Sequence, residues 1–404
     1  MSFWTDPIKV IYDWLMLTLT SWGLSGAVTN VIANLLGIVV LITAAMILDI
    51  MLVWVERKVV ARFQGRLGPN RVGPFGLLQP FPDIIKLIIK EDITPDGADK
   101  LVFNMAPILS LGSVIFLWAI VPLASTIYGV DLNVALLYLV AAGALGTLSI
   151  IMAGWSSNNK YALLGAFRQV AAMISFEIPM VVALLIPTVL AGSMSMKVIT
   201  DVQWGGKWFV LFSPLGAILF LICAIAELGR SPFDLNEGES EIVSGYHIEY
   251  TGMKFGLFYA GELLHAFTFG GFLSVLFFGG WHGPWAGQYP FLGAFYFVVK
   301  AMIGYWVIMW VKYTVPRIRI DHMLAFNWKF LTPLSFALLI VTAVMNSLLR
   351  ELASSNFWLY ALAMFASNAL VGWITLEIMR ASTRQQRLAA EAPQRLDEQI
   401  VAQH

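Results

Sequence analysis

The chain has 404 residues, of which 59% are hydrophobic and only 12% charged, and its mean hydropathy is +0.76. A soluble domain carries about twice that charged fraction, so this composition indicates a polytopic membrane protein. The net charge of zero excludes the basic surface of a nucleic-acid-binding protein, and the one cysteine excludes an intramolecular disulfide, an iron–sulfur cluster and a cysteine-rich zinc site within this chain.

The apolar runs predict an all-α fold, a transmembrane helix bundle with about nine spans and further amphipathic helices at the interface. Residues 1–24 mix charges with aromatics and leucines, which is typical of an interfacial segment. Residues 25–350 hold eight spans, residues 351–380 a ninth, and residues 381–404 a polar tail. The predicted spans are 28–55, 101–127, 132–155, 168–191, 211–229, 253–280, 291–315, 331–349 and 356–379. Pro179 and Pro187 predict a kink or break in the fourth span.

The distribution of Lys and Arg predicts the orientation. If the first span ends in the cytoplasm, that side receives twenty of these residues and the other side four, with Lys300 inside a span. Loops 56–100 and 230–252 and the tail are then cytoplasmic, and the N-terminus lies outside. In the first loop, glycines and prolines fix a series of turns, and a short amphipathic helix is expected after Pro82.

The second cytoplasmic loop is dense in carboxylates between two apolar runs. Its acidic residues are Glu227, Asp234, Glu237, Glu239, Glu241 and Glu249, with Arg230 as the only fixed positive charge. Acids so closely spaced beside a membrane should not all ionise together, so some of them keep a proton near neutral pH. A proton relay needs such groups. The alternative is a solvated acidic loop without function.

Two further acids, Glu177 and Glu262, lie within predicted spans. An intramembrane carboxylate costs several kcal/mol unless it is paired, neutral or hydrated, so such residues are functional by default. A structural ion pair with Arg168 or Lys300 is the alternative.

Four blocks resemble one family closely. They are Glu56–Glu91 with its Gly-Pro-Asn-Arg-Val-Gly-Pro-Phe-Gly-Leu-Leu-Gln-Pro run, Gly154–Pro179, Glu227–Glu262 and Pro316–Lys329. They are similar to membrane subunit 1 of respiratory complex I, the proton-pumping NADH:quinone oxidoreductase; in bacteria it is called the H subunit. The resemblance implies a bundle of about eight tilted helices, so that a ninth span is extra.

The resemblance also implies site residues, position by position. A proton and charge relay would comprise Glu177, Glu227, Arg230, Asp234, Glu237, Glu239, Glu241 and Glu262. The quinone chamber and its mouth would comprise Glu56, Arg57, Arg62, Arg71, Asp83, Arg168, Arg317 and Arg319. Lys300 also matches a lysine usual in the family. Quinone is then the substrate, and no flavin, iron–sulfur cluster or metal is expected in this chain.

Some positions depart from the family. Asp49 lies where the family is usually apolar, and two roles stay open for it: an added proton site, or a group facing a polar groove. Gly229 replaces a usual Asn before Arg230. Glu377 has no counterpart and receives no role.

The resemblance implies a bacterial plasma membrane location, no activity of the chain alone, and partners in the peripheral-arm quinone-site and iron–sulfur subunits and the small membrane-arm subunits. One alternative is the related foot subunit of a membrane-bound hydrogenase or ferredoxin-linked complex. A free-standing transporter would show internal repeats, which this sequence lacks. A purely structural anchor would not need Glu177 and Glu262.

Overall fold

The computed structural model describes residues 7–22, 25–234, 238–349 and 356–402, and the regular elements in these ranges are helices. The α-helices are α1 (Pro7–Ser21), α2 (Gly26–Phe63), α3 (Pro80–Ile89), α4 (Lys100–Trp118), α5 (Ala135–Ser156), α6 (Lys160–Ala191), α7 (Met196–Val202), α8 (Phe209–Phe212), α9 (Pro214–Glu227), α10 (Glu239–Ile242), α11 (Gly252–Phe277), α12 (Pro290–Thr314), α13 (Ile320–Phe326), α14 (Thr332–Leu348) and α15 (Phe357–Ala402). A π-helical stretch, Asn327–Leu331, joins α13 to α14.

The described residues contain eight helices long and apolar enough to cross a membrane, and a ninth if the bent pair around α8 and α9 is one span. This confirms the all-α fold and the predicted number of spans. The interfacial position of α1 and the division of the chain into a core, an added span and a tail stay predictions. Helix α15 continues through the backbone of the predicted tail to Ala402.

Several span boundaries differ from the predictions. Helix α2 runs to Phe63, so Glu56, Arg57 and Arg62 lie on the helix and not in a loop. Helix α4 ends at Trp118, nine residues before the predicted end at 127, and α6 begins at Lys160 rather than at 168. In α2 and α6, charged residues at the end of the span lower the local hydropathy but do not end the helix, because long basic side chains can reach back to the interface.

The predicted break in the fourth span is wrong, because α6 is one helix through both prolines. Neighbouring helices cover α6 on several sides, and such packing tolerates a proline inside a membrane helix. The break lies instead in the fifth span, where the helices on either side of Ser213 meet at 74°. Ser213 has non-helical φ/ψ angles (−139°, 72°), and Pro214 starts the next helix.

Helix α11 forms the centre of the bundle: 83% of its most apolar window is buried, against 17% for α2. It contacts α12, α4, α2 and α3. The crossing with α12 is close because Gly270 faces the backbone there, and a Cβ at that position would lie 2.5 Å from the carbonyl oxygen of Ala301. Small residues allow such close helix contact in membranes. Glu262, the one acid of α11, is thereby held among neighbouring helices.

The additional span α15 docks on the broken fifth span through a buried amide. Asn368, 1% exposed, donates from Nδ2 to the carbonyl oxygen of Phe212 at 3.0 Å. Its Oδ1 accepts from the hydroxyl of Ser213 at 3.0 Å. Tyr360 adds a hydrogen bond of 2.7 Å to Asn346 on α14. Helix α15 therefore supplies the polar partners that the break in the fifth span requires.

Candidate functional site

A buried carboxylate near the end of α2 is the focus of the site. Glu56 is 3% exposed, and its Oε1 accepts hydrogen bonds from Lys312 Nζ at 2.9 Å and from the Tyr313 hydroxyl at 2.6 Å. Its Oε2 accepts from the Tyr259 hydroxyl at 3.1 Å, and Arg230 Nη1 lies 3.5 Å from Oε1. Helices α2, α11 and α12 thus bring their polar groups together around one carboxylate.

Arg230 joins this carboxylate to a second one. Its side chain is 3% exposed, and its Nε lies 2.8 Å from Oε1 of Glu262 on α11. A guanidinium stays charged in a protein, so it bridges two carboxylates in a site nearly closed to water. Glu56, Arg230 and Glu262 therefore form one continuous ion-pair chain inside the bundle, which we call the buried charge cluster.

The end of α9 places Arg230 by a glycine-dependent turn. Gly229 has φ +59°, its N–H donates to Ala226, and the Arg230 N–H reaches back to the carbonyl of Ile225 at 3.3 Å. These are the two hydrogen bonds of a Schellman motif, which needs a left-handed residue, usually Gly and sometimes Asn. The exchange of the family's usual Asn for Gly229 is therefore conservative in conformation.

A second pair of acids lies beside the cluster. Glu227, the last residue of α9, is 3% exposed, and its Oε2 has no hydrogen-bond partner among the described residues. Its charge interacts with that of Glu177, a half-buried residue on α6, the helix that packs along α9. Two carboxyl groups in one dry site can share and exchange a proton.

Glu241 belongs to a separate, more exposed site. Its side chain is 48% exposed and accepts a 2.6 Å hydrogen bond from Arg168 Nη1, while Arg317 Nη2 lies 3.0 Å away. The hydrogen bond from Arg168, and then the charge of Arg317, hold the pKa of Glu241 below its usual range. The end of the acidic loop is thus tied to α6 and to the segment before α13.

The other predicted site residues that the structure describes lie at the same end of the bundle. Arg57 and Asp83 form an ion pair of 2.5 Å that joins α2 to α3. Arg62, Arg71 and Arg319 are exposed there. Asp234 is half-buried, Glu237 lies outside the described residues, and for Glu239 only the backbone, in α10, is described.

The alternative ion pairs for the intramembrane acids are wrong. Arg168 binds Glu241, and Glu262 lies against Arg230. Lys300 instead donates to the carbonyls of Phe278 (2.9 Å), Gly280 (2.9 Å) and His282 (2.8 Å), the residues that follow the C-terminus of α11. A cation at this position satisfies the last carbonyls and the helix dipole, so Lys300 has a structural role at the other end of α11.

Sequence reasoning missed four residues on α11 and α12 that contact the cluster or interact with it: Tyr259, Tyr305, Lys312 and Tyr313. One signal was available, because Tyr259 stands three residues before Glu262 and so shares its face of α11. The residues of α12 gave no such signal, since they lie at least 43 positions from Glu262 in the chain.

Comparison with known proteins identifies the family of the chain. A family model described as NADH dehydrogenase matches residues 36–343. The H subunit of NADH-quinone oxidoreductase from Dehalococcoides mccartyi (strain CBDB1) is 47% identical over 306 residues, 76% of this chain and 85% of the relative. The first H subunit of the same enzyme from Geobacter metallireducens is 43% identical over 300 residues, 72% of this chain and 89% of the relative.

A longer match is the H subunit from Ruthia magnifica, which is 37% identical over 361 residues, 87% of this chain and 99% of the relative. The family model ends before α15, and the four blocks lie inside it, including the two that hold Glu56, Arg230 and Glu262. The chain therefore belongs to the NADH dehydrogenase family, as a multi-pass membrane protein of the H-subunit type in NADH-quinone oxidoreductase, and its partners include other subunits of that complex.

Proposed function

We propose that this protein forms the membrane side of a quinone chamber and the first part of a buried proton and charge relay that couples quinone reduction to proton translocation. The observation that carries the proposal is the ion-pair chain of Glu56, Arg230 and Glu262, with Glu56 and Arg230 each 3% exposed. Burying ionic groups costs free energy, so their presence inside a membrane bundle supports a functional role.

The mouth of the chamber lies at the end of α2. Arg57 and Asp83 provide polar groups for a quinone head, and α3 presents the exposed apolar side chains of Phe81, Ile85 and Ile88 for an isoprenoid tail or a neighbouring subunit. A site for an amphipathic substrate needs such a polar end and an apolar wall. The same amphipathic surface would adjoin the peripheral-arm subunits, which would supply the electrons.

Helix α2 carries charged groups both at this mouth and in the interior of the bundle. Arg57 and Glu56 are neighbours on α2, so a quinone species that gains negative charge beside Arg57 changes the field at Glu56. In a dry interior such a field acts strongly on nearby charges. Arg230 then moves between its carboxylate partners, and the proton shared by Glu227 and Glu177 responds. Reduction of one quinone takes up two electrons and two protons. The relay would transmit the resulting change in charge along the membrane arm.

Orientation and location are part of the proposal. The ion pairs Arg57–Asp83, Lys254–Asp92 and Arg168–Glu241 join the ends of helices and loops on the side that is predicted to be cytoplasmic. We infer a bacterial plasma membrane with the N-terminus outside and α15 ending in the cytoplasm. The relatives named above are NADH-quinone oxidoreductase subunits, which favours this function over the foot of a membrane-bound hydrogenase.

The test is Glu227→Gln in the intact complex, measured in sealed membranes as quinone reduction and as proton translocation. We expect fewer protons translocated per quinone reduced, because the amide cannot carry the shared proton. Glu377→Gln is the matched control, since Glu377 is exposed on α15 and its ion-pair partner among the described residues is Arg380, one turn away at 3.0 Å. Wild-type values of both activities in Glu227→Gln would refute the relay.

A further inference from the structure

Asp49 adds an acid deeper in the bundle than the buried charge cluster. It precedes Glu56 by seven residues on α2, which is two helical turns, or about 10 Å along the axis on the same face. Its residue is 4% exposed, and Leu52, between the two acids on that face, is fully buried. This burial places Asp49 away from open solvent, on the face of α2 that carries Glu56.

Two polar atoms at this depth lack hydrogen-bond partners among the described residues. They are Oδ1 of Asp49 and the hydroxyl of Tyr305, whose residue is 1% exposed. Tyr305 interacts electrostatically with Glu56, Arg230, Tyr259 and Asp49. It is therefore near enough to both Glu56 and Asp49 to interact with each.

The surroundings of Asp49 distinguish it from Glu56. Glu56 has Lys312 and Arg230 within 3.5 Å, whereas none of the ion pairs found among the described residues includes Asp49. The titratable and charged groups around this region include Glu56 on α2, Tyr259, Glu262 and His265 on α11, Tyr305, Lys312 and Tyr313 on α12, and Arg230 after α9. A dry carboxyl group without a cation is most stable as the neutral acid.

Packing gives no reason for an acid at this position. Removing a carboxyl group whose oxygen lacks a partner, and replacing it with an apolar group of similar size, is neutral or stabilising for a fold. Leu52 and Ala45 show that this face of α2 packs against apolar neighbours. The Asp49 carboxyl lowers the stability of the fold, and its Oδ1 makes no hydrogen bond among the described residues, so a chemical role explains its presence.

We propose that Asp49 is a further proton-carrying site of this relay, one layer deeper than Glu56, with the Tyr305 hydroxyl as the group through which the two acids exchange. The inference rests on the proposed function. When Arg230 moves from Glu56 toward Glu262, Glu56 loses a cation and its affinity for a proton rises. The O–H bond of Asp49 breaks, the Tyr305 oxygen accepts that proton, and the former phenolic proton forms the new O–H bond on Glu56. One proton is transferred, one negative charge moves to Asp49, and no electron is involved.

The experiment uses the purified whole complex and its membranes with Asp49→Asn, Asp49→Leu and Tyr305→Phe. Infrared difference spectra recorded between the oxidised and reduced quinone states report carboxyl groups that change protonation, and such bands shift in D₂O. We expect one protonated-carboxyl band to be lost in both Asp49 variants. We also expect proton translocation per quinone reduced to fall in all three variants, while the resistance of the complex to heat stays equal or rises in Asp49→Leu.

The matched control is Asp131→Asn, because Asp131 lies outside the cluster and accepts a 2.6 Å hydrogen bond from Ser195. Its spectrum and translocation should equal those of the wild type. An unchanged carboxyl band and unchanged translocation in both Asp49 variants would overturn the inference. If Glu227→Gln reduces translocation in that case, only the role of Asp49 fails. If Glu227→Gln is also without effect, the proposed relay itself fails.

Discussion

Replacement of Arg230 by Met tests whether the buried charge cluster is a connected unit. The variant removes the guanidinium that lies 2.8 Å from Glu262 and 3.5 Å from Glu56. Glu56 keeps three donors, so the larger loss falls on Glu262, whose side chain is 21% exposed and regains some contact with water. Removing one partner of a buried ion pair costs about 3–5 kcal/mol, and these residual contacts place the expected loss near the lower limit, at ~3 kcal/mol.

The assay is the half-life of the purified complex at a fixed elevated temperature, because large membrane complexes unfold irreversibly and their stability is a rate. A loss of ~3 kcal/mol shortens the half-life roughly a hundredfold if the contact is absent from the transition state. The double variant Arg230→Met with Glu262→Met removes both charges, so we expect most of the loss to be recovered.

The matched control is Arg380→Met, which breaks the exposed pair with Glu377 and should change the half-life little, since surface pairs contribute about 0–1 kcal/mol. Equal half-lives of Arg230→Met and Arg380→Met would refute the reasoning. So would a double variant that loses the sum of the two single losses, because that result would show that Arg230 and Glu262 do not interact.

Three further outcomes are expected. Asn368→Leu leaves the Phe212 carbonyl without its donor and should cost about 1–3 kcal/mol, measured as a shorter thermal half-life. Burial lowers the pKa of His282 from 6.5 to about 4, so its stabilising contribution is present above pH 6.5 and is lost as pH falls toward 4; His282→Gln should flatten this part of the stability–pH profile. Glu241→Gln should speed hydrogen exchange across residues 238–250, since the amide no longer binds Arg168 as an ion pair; in the wild type the same exchange should accelerate as pH falls below the usual carboxyl range.

Each of these has its own control. Ser367→Ala, next to Asn368 but bonded only to Met364 in its own helix, should leave the half-life unchanged. His322→Gln tests the pH effect at an exposed histidine and should not alter the profile. High salt should speed hydrogen exchange in the wild type but not in Glu241→Gln; an equal effect of salt on both would show that the ion pairs do not hold the loop.

The number of spans could be predicted because hydropathy is a local property of about twenty residues. The helix ends could not be predicted as well. Glu56 and Arg57 belong to α2 although their charge suggested a loop, since a helix at the membrane surface can continue beyond its apolar run. The break in the fifth span was missed for a related reason: Ser213 is one residue in an apolar stretch, and its backbone angles depend on the partner that Asn368 supplies from α15.

The acids of the site were found from the sequence because each is an exception in an apolar neighbourhood, as Glu262 is in α11. The sequence did not show that these acids belong to separate sites. Glu227 and Glu241 are 14 residues apart in one acidic segment, yet one lies in the dry interior and the other at the surface between two arginines.

By itself, the sequence determined that the chain crosses a membrane about nine times and that costly acids remain inside it, because both properties follow from local composition. Only the tertiary structure decided which charges meet. Glu56, Arg230 and Lys312 are separated by 82 or more positions and come from α2, the turn after α9, and α12, and their contacts follow from how those helices pack around α11. The electrostatic energy of a buried charge depends on neighbours within a few ångströms, and helix packing alone brings such neighbours together.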